Sequence, residues 1–136
     1  PDLDPPPMTR HFLRALEETL IATLADLGLA GHRRPGRTGV WVDPASPRKI
    51  ASIGIGVRRG VTCHGFALNV PGDLAAFDAI VPCALPGVRM TSVERECLRP
   101  PPALPEIAAI VARHFGAKIR PESRCAGRAR NPDDAR

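Results

Sequence analysis

The sequence predicts an α/β domain in which helices flank a β-hairpin, and three observations carry that prediction. Phe12, Leu16, Leu20, Leu24 and Leu27 recur at helical spacing near the start, and Ile107, Ile110, Val111 and Phe115 do so near the end. Between them, residues 49–57 (KIASIGIGV) and 61–70 (VTCHGFALNV) are β-type runs joined by Arg58-Arg59-Gly60. The length, 136 residues, fits one domain with a real core. With four Phe, one Trp and no Tyr, that core has to be aliphatic.

Residues 1–7 (PDLDPPP) read as an extended lead-in. Thr9 is the expected N-cap of a helix over 9–27, whose stripe Leu13 and Ile21 widen and which Gly28 stops; Glu17 and Glu18 fall off the stripe. Residues 33–37 (RRPGR) are expected as a loop, 38–42 (TGVWV) as a strand and 43–48 (DPASPR) as a turn. In the strand over 49–57, Lys49, Ala51, Ile53, Ile55 and Val57 share one face, and Ile50, Ser52, Gly54 and Gly56 the other. Arg58-Arg59-Gly60 is expected as a three-residue hairpin loop, and 69–73 as a polar corner. A short helix over 73–80, an extended Val81-Pro82-Cys83 and a turn at Pro86-Gly87 follow. Residues 91–96 suit a helical turn capped by Thr91 or Ser92, with Glu94 or Glu96 near its positive end. A second long helix is expected over 105–115, stopped by Gly116. From Pro121 the chain has almost no large apolar residue, so 121–136 is expected as a disordered basic tail and 8–120 as the folded domain.

The net charge of +5 suits an acidic partner, such as an acidic carrier protein or a nucleic acid, but much of the excess lies in that tail. The tail has no aromatic to stack on bases, so nucleic acid is not the expected partner. Cys63, Cys83, Cys97 and Cys125 form no C-x-x-C pair, and no spacing implies a metal. No signal peptide opens the sequence and no apolar run approaches the ~20 residues of a membrane helix. A reducing cytoplasm with free thiols is therefore expected.

Three residues could carry chemistry. Lys49 either snorkels to water from a strand end or is held against an apolar face, where it can act as a proton carrier or a thiolate-stabilising cation. Cys83, in an irregular segment between apolar elements, is either a buried structural thiol or one that substrate can reach. Cys63 and His64 are neighbours on a strand, so they face opposite ways unless the strand bulges at Gly65; a Cys–His pair would more readily join His64 to Cys83. Gly54 and Gly56 are not a phosphate loop, because the strand continues through both; they suit the close approach of a ligand.

Four segments in order, RTGVWV, KIASIGIGVRRGVTCHGFALNV, DLAAFDAIVPC and GVRMTSVERE, resemble the lipoate–protein ligase B family from about Phe12 to about Glu96. Members are octanoyl-acyl-carrier-protein:protein N-octanoyltransferases. The resemblance implies an incomplete lipoate/biotin protein ligase-like α/β fold with a mixed sheet. It implies transfer of octanoyl from the phosphopantetheine thioester of acyl carrier protein to a cysteine, then to a lysine of a lipoyl domain, in 2-oxoacid dehydrogenase complexes or the glycine cleavage H protein. No cofactor of the enzyme's own is implied. On the family's motifs the nucleophile is Cys83 and its partner Lys49; the substrate-binding segments are Ser52-Ile53-Gly54 and Gly65-Phe66-Ala67.

Three departures accompany the resemblance. Ala84 stands where a glycine follows the nucleophile, and Cys63 where a larger residue is usual. The family's earlier segment R-G-G-x-x-T-x-H-G-P-G-Q, which lines the acyl pocket, is missing, so a truncated gene or a fragment with an exposed sheet edge is expected. The competing functions are an inactive family member or partner-binding module, a Cys–His thioesterase or amidase using Cys83 and His64, and an ATP-dependent lipoate or biotin ligase, which no phosphate loop supports.

Overall fold

The computed structural model describes residues 7–71, 73–75 and 87–118. Residues 1–6 of the expected lead-in, residues 76–80 of the expected 73–80 helix, the VPC segment with Cys83, Ala84 and the tail lie outside them. The elements run α1 (Pro7–Asp26), β1 (His32–Arg34), β2 (Arg37–Val42), β3 (Arg48–Arg58), β4 (Val61–Leu68), β5 (Arg89–Met90), α2 (Val93–Glu96) and α3 (Leu104–Lys118). Strands β1 to β4 form an antiparallel meander, and β5 pairs with β3 in parallel, so the sheet is mixed. Helix α1 packs on β2 and β3 and against α3.

The apolar stripe of α1 is the main wall of the core. Leu16, Leu20 and Leu24 are fully buried against Val40, Val42, Ile50, Ala51, Ile53 and Ile107, with Phe12, Leu13, Ile21 and Leu27 partly buried around them. Thr19 and Thr23 are also buried; their hydroxyls donate to the carbonyls of Ala15 and Thr19, both at 2.9 Å, so neither leaves a polar atom unsatisfied. The helix starts at Pro7 rather than Thr9, since a first-turn proline gives up only an N–H that has no helical partner.

Several expectations are corrected. Residues 33–37 are not a loop: Arg34 pairs with Arg37, and Pro35-Gly36 is a two-residue turn with Gly36 at φ 68°. The β3–β4 connection is also two residues, because Arg58 pairs with Val61 and both Arg59 and Gly60 have positive φ, as a type I′ turn requires. Strand β3 does not bury one face throughout. Lys49, Ile50 and Ala51 are all buried, whereas Val57 at its far end is half exposed. Its start is paired with β2 and β5, and from Ser52 onward it pairs with β4 alone among the described residues. Helix α3 runs through Gly116 to Lys118, where the Lys118 ammonium meets Glu18 of α1 at 3.2 Å; packing between the helices overrides the glycine.

Ser92 is the cap of α2, its hydroxyl accepting from the Arg95 N–H at 3.4 Å. The Val93 and Glu94 N–H groups donate to the carbonyls of Asn69 and Val70, which ties the polar corner to the start of this helix. Among the described residues, β4 is an edge strand, with Val61 and Phe66 exposed. No described helix is long and apolar enough to cross a membrane.

Candidate active site around Lys49

Lys49 is the second residue of β3 and is held there on both sides. It pairs with Trp41 of β2 and with Met90 of β5, and its carbonyl accepts from the Thr91 N–H at 2.9 Å. Its side chain is only 1 % exposed, so it does not snorkel. The Nζ atom lies 5.6 Å from the centroid of the Trp41 ring. A buried ammonium keeps its charge only where nearby groups stabilise it, and this one has a π face beside it, among other interactions.

The strand start that presents Lys49 is clamped by ion pairs. Arg48 donates through Nε and Nη2 to the two carboxylate oxygens of Glu96, at 2.8 and 2.9 Å, and through Nη1 to Asp43 at 3.0 Å. The hydrogen bonds from Arg48 hold the Glu96 carboxyl below the usual carboxylate range, against the opposing effect of burial. Thr91 adds a hydroxyl hydrogen bond to the same carboxylate.

Sequence reasoning missed Glu17. It is 1 % exposed, although it falls off the leucine stripe. Its carboxylate accepts from Arg14 at 2.7 Å, from Arg33 Nε at 2.9 Å and, more weakly, from the Gly39 N–H at 3.5 Å. The signal that could have found it was the RRPGR segment, whose first arginine supplies the pairing charge.

The two expected substrate-binding segments are brought together residue for residue. Ser52 pairs with Ala67, Ile53 with Phe66 and Gly54 with Gly65. A Cβ added at Gly54 or at Gly65 would meet nothing within 4 Å, so the glycine pair leaves open space on the sheet. Phe66 lines an apolar trough of about 390 Å³ with Leu68 and Val70 on the sheet side and Leu104, Val111 and Phe115 from α3. A second hollow of about 350 Å³ shares Phe66 and Phe115 and reaches Phe12 and Leu16 of α1. A further cavity of about 520 Å³ has Arg48, Asp73, Arg89, Arg95 and Glu96 in its wall and does not suit an alkyl chain.

His64 is exposed on β4, and its backbone is left-handed at φ 69°. This corrects the expected opposition of Cys63 and His64. A Cβ on Gly56, across the ladder, would lie 2.8 Å from Cys63 Sγ and 3.3 Å from His64 Cδ2, so both side chains approach the same glycine. The β3–β4 register is unbroken there; the positive φ, not a bulge at Gly65, turns the imidazole. Cys83 lies outside the described residues, so its distance from Lys49 or His64 is not described. No group of three or more metal-ligating side chains occurs among the described residues.

The α/β fold that carries this buried lysine agrees with the comparisons to known proteins. The sequence model of the lipoyl protein ligase A/B catalytic domain matches residues 2–116. The chain belongs to that family. An octanoyltransferase of Syntrophotalea carbinolica is 48% identical over 111 residues, covering 82% of this chain and 51% of its own length. One from Pelobacter propionicus is 48% identical over 106 residues, covering 78% of this chain and 49% of its own length. The chain thus spans about half the length of these curated relatives. A solved structure of a bi-partite lipoate protein ligase with its E2 lipoyl domain, from Thermoplasma acidophilum, aligns with a TM-score of 0.62 at 23% identity. It covers 85% of this chain and 47% of that one, and shows that the fold is shared.

Proposed function

We propose that this chain carries the acyl-handling part of an octanoyltransferase of lipoate biosynthesis. Cys83 is the nucleophile, Lys49 its charge and proton partner, and the paired segments Ser52-Ile53-Gly54 and Gly65-Phe66-Ala67 receive the acyl chain. The observation that carries this reading is the burial of Lys49 at 1 % exposure in a chain of this family. The desolvation of a lysine is costly and is kept where its charge has a use.

In the first half-reaction the Cys83 thiolate attacks the thioester carbonyl of octanoyl-acyl carrier protein. The bond from the acyl carbon to the phosphopantetheine sulfur breaks, and that sulfur leaves as a thiolate that takes up a proton. In the second, the neutral amine of a lipoyl-domain lysine attacks the Cys83 thioester, an amide forms, and the thiolate is released as the amine loses its proton. A lysine ammonium beside the thiol favours the thiolate and, when deprotonated, can take the amine's proton. The partners in this reading are acyl carrier protein and lipoyl domains, in the cytoplasm, and the enzyme needs no cofactor of its own.

Intact-mass spectrometry of the chain after incubation with octanoyl-acyl carrier protein tests it, beside Cys83→Ala. The expected result is a gain of one octanoyl group that hydroxylamine removes and that the variant lacks. A folded chain that gains no adduct would sink the activity for these residues alone.

A further inference from the structure

We propose that Gly39 and Trp41 are positioning residues that hold the Lys49 ammonium in place; the proposal rests on the role given to Lys49 above. Three local irregularities of β2 converge on this one side chain. The first is register. Val40 pairs with Ala51, so an unbroken antiparallel ladder would set Trp41 opposite Ile50; the register shifts between Val40 and Trp41 and sets Trp41 opposite Lys49 instead.

The second is Gly39, at φ 117°. A Cβ there would come within 2.6 Å of Lys49 Cε, 3.3 Å of its Nζ and 2.5 Å of the Ala51 carbonyl oxygen. The lysine stem occupies the space that any other residue at position 39 would fill.

The third is Trp41 itself, 1 % exposed. Its Nε1 is buried with no hydrogen-bond partner among the described residues. A methionine or phenylalanine would fill the site without that unsatisfied donor, so packing alone is a poor reason for an indole. Its π face is in use. Lys49 Nζ lies 5.6 Å from the ring centroid and the Arg34 guanidinium carbon 4.9 Å from it. An aromatic face attracts a cation most strongly where both are out of water. Gly39 therefore leaves room for the stem at Cε while Trp41 offers the charge a π face at Nζ, and the ammonium is confined beside the ring.

The experiment is the pH dependence of Cys83 alkylation by iodoacetamide on the 136-residue chain, read peptide by peptide by mass spectrometry. Circular dichroism shows which variants fold. Lys49→Met is expected to move the half-maximal pH upward by about one unit or more, since it removes the neighbouring cation. Trp41→Met and Gly39→Ala are expected to move it part of the way, and Trp41→Phe, which keeps a π face, to stay close to wild type. A merely structural role would change the melting temperature and leave the profile alone. Folded Trp41→Met with a wild-type profile, beside a shifted Lys49→Met, overturns the positioning role and leaves the role of Lys49 intact. An unshifted Lys49→Met overturns the reading of Lys49 and this proposal with it. If Gly39→Ala does not fold, the contrast between Trp41→Met and Trp41→Phe decides.

Discussion

Glu96 grips the guanidinium of Arg48 through both carboxylate oxygens, at 2.8 and 2.9 Å, across 48 residues of sequence. The bond joins α2 to the residue immediately before Lys49. Charged hydrogen bonds of this two-toothed kind contribute about 1.5–3 kcal/mol each when partly buried. The Glu96 carboxyl titrates below its ordinary value when folded, chiefly because Arg48 donates to it. Its contribution is therefore fully present above the unfolded carboxylate range and is lost as pH falls through the lower folded value. Thermal melts between pH 6 and pH 3 are expected to show a steeper fall for wild type than for Glu96→Gln, and Glu96→Gln should be the less stable at pH 6. Parallel curves would mean that the clamp does not couple to folding. The Asp26, Asp43 and Glu18 carboxyls are also lowered, so the difference between the two proteins, not the wild-type slope, is the quantity to compare.

Glu17 sits at 1 % exposure with Arg14, Arg33 and the Gly39 N–H around its carboxylate. Glu17→Ala removes the anion and leaves the two guanidinium groups to water, since Arg14 and Arg33 are 51% and 35% exposed at the side chain. That escape keeps the loss near the cost of one charged hydrogen bond, about 1.5–3 kcal/mol, below that of an orphaned buried charge. Urea denaturation should show a lowered midpoint with an unchanged slope.

The glycine pair predicts a separation of stability from acyl loading. A Cβ at Gly54 would meet nothing within 4 Å, so Gly54→Leu should fold with a melting temperature close to wild type. The same side chain would fill the opening beside Gly65, and octanoyl loading should fall at least ten-fold in the mass assay. Wild-type loading by Gly54→Leu would place the acyl path elsewhere.

Among the described residues, strand β4 presents an unpaired edge with Val61 68% and Phe66 36% exposed, next to the trough lined by Phe66, Leu68 and Phe115. Such an edge pairs with other strands unless charge or cover prevents it. Light scattering over a concentration series should show association of the wild-type chain, reduced in Val61→Lys with Phe66→Lys. A monomer at all concentrations would show that the edge is blunted already.

Cys97 is a thiol whose ionisation burial opposes, and the neighbouring Glu96 carboxylate opposes it further. Its Sγ lies 3.8 Å from the Leu27 carbonyl oxygen. Iodoacetamide at pH 8 should label Cys97 more slowly than a cysteine in an unfolded peptide, and equal rates would contradict the burial.

The periodicity of residues 12–27 was enough to specify α1, because a stripe of leucines at helical spacing has one way to reach a core, and β-branched alternation was enough for β3 and β4. The family's motif order named Lys49 and Cys83 as candidates and singled out the Ser52 and Gly65 segments, which the structure pairs. The sequence did not determine that Lys49, Ile50 and Ala51 are all buried, since alternation assigns faces and cannot say that both faces are covered. Nor did it reveal the partners of Glu17, the left-handed His64 that brings its ring beside Cys63, or the shift that sets Trp41 opposite Lys49. Each of these depends on atoms brought together from distant residues. A one-residue change of register alters no composition and no period, yet it decides which side chain an indole faces.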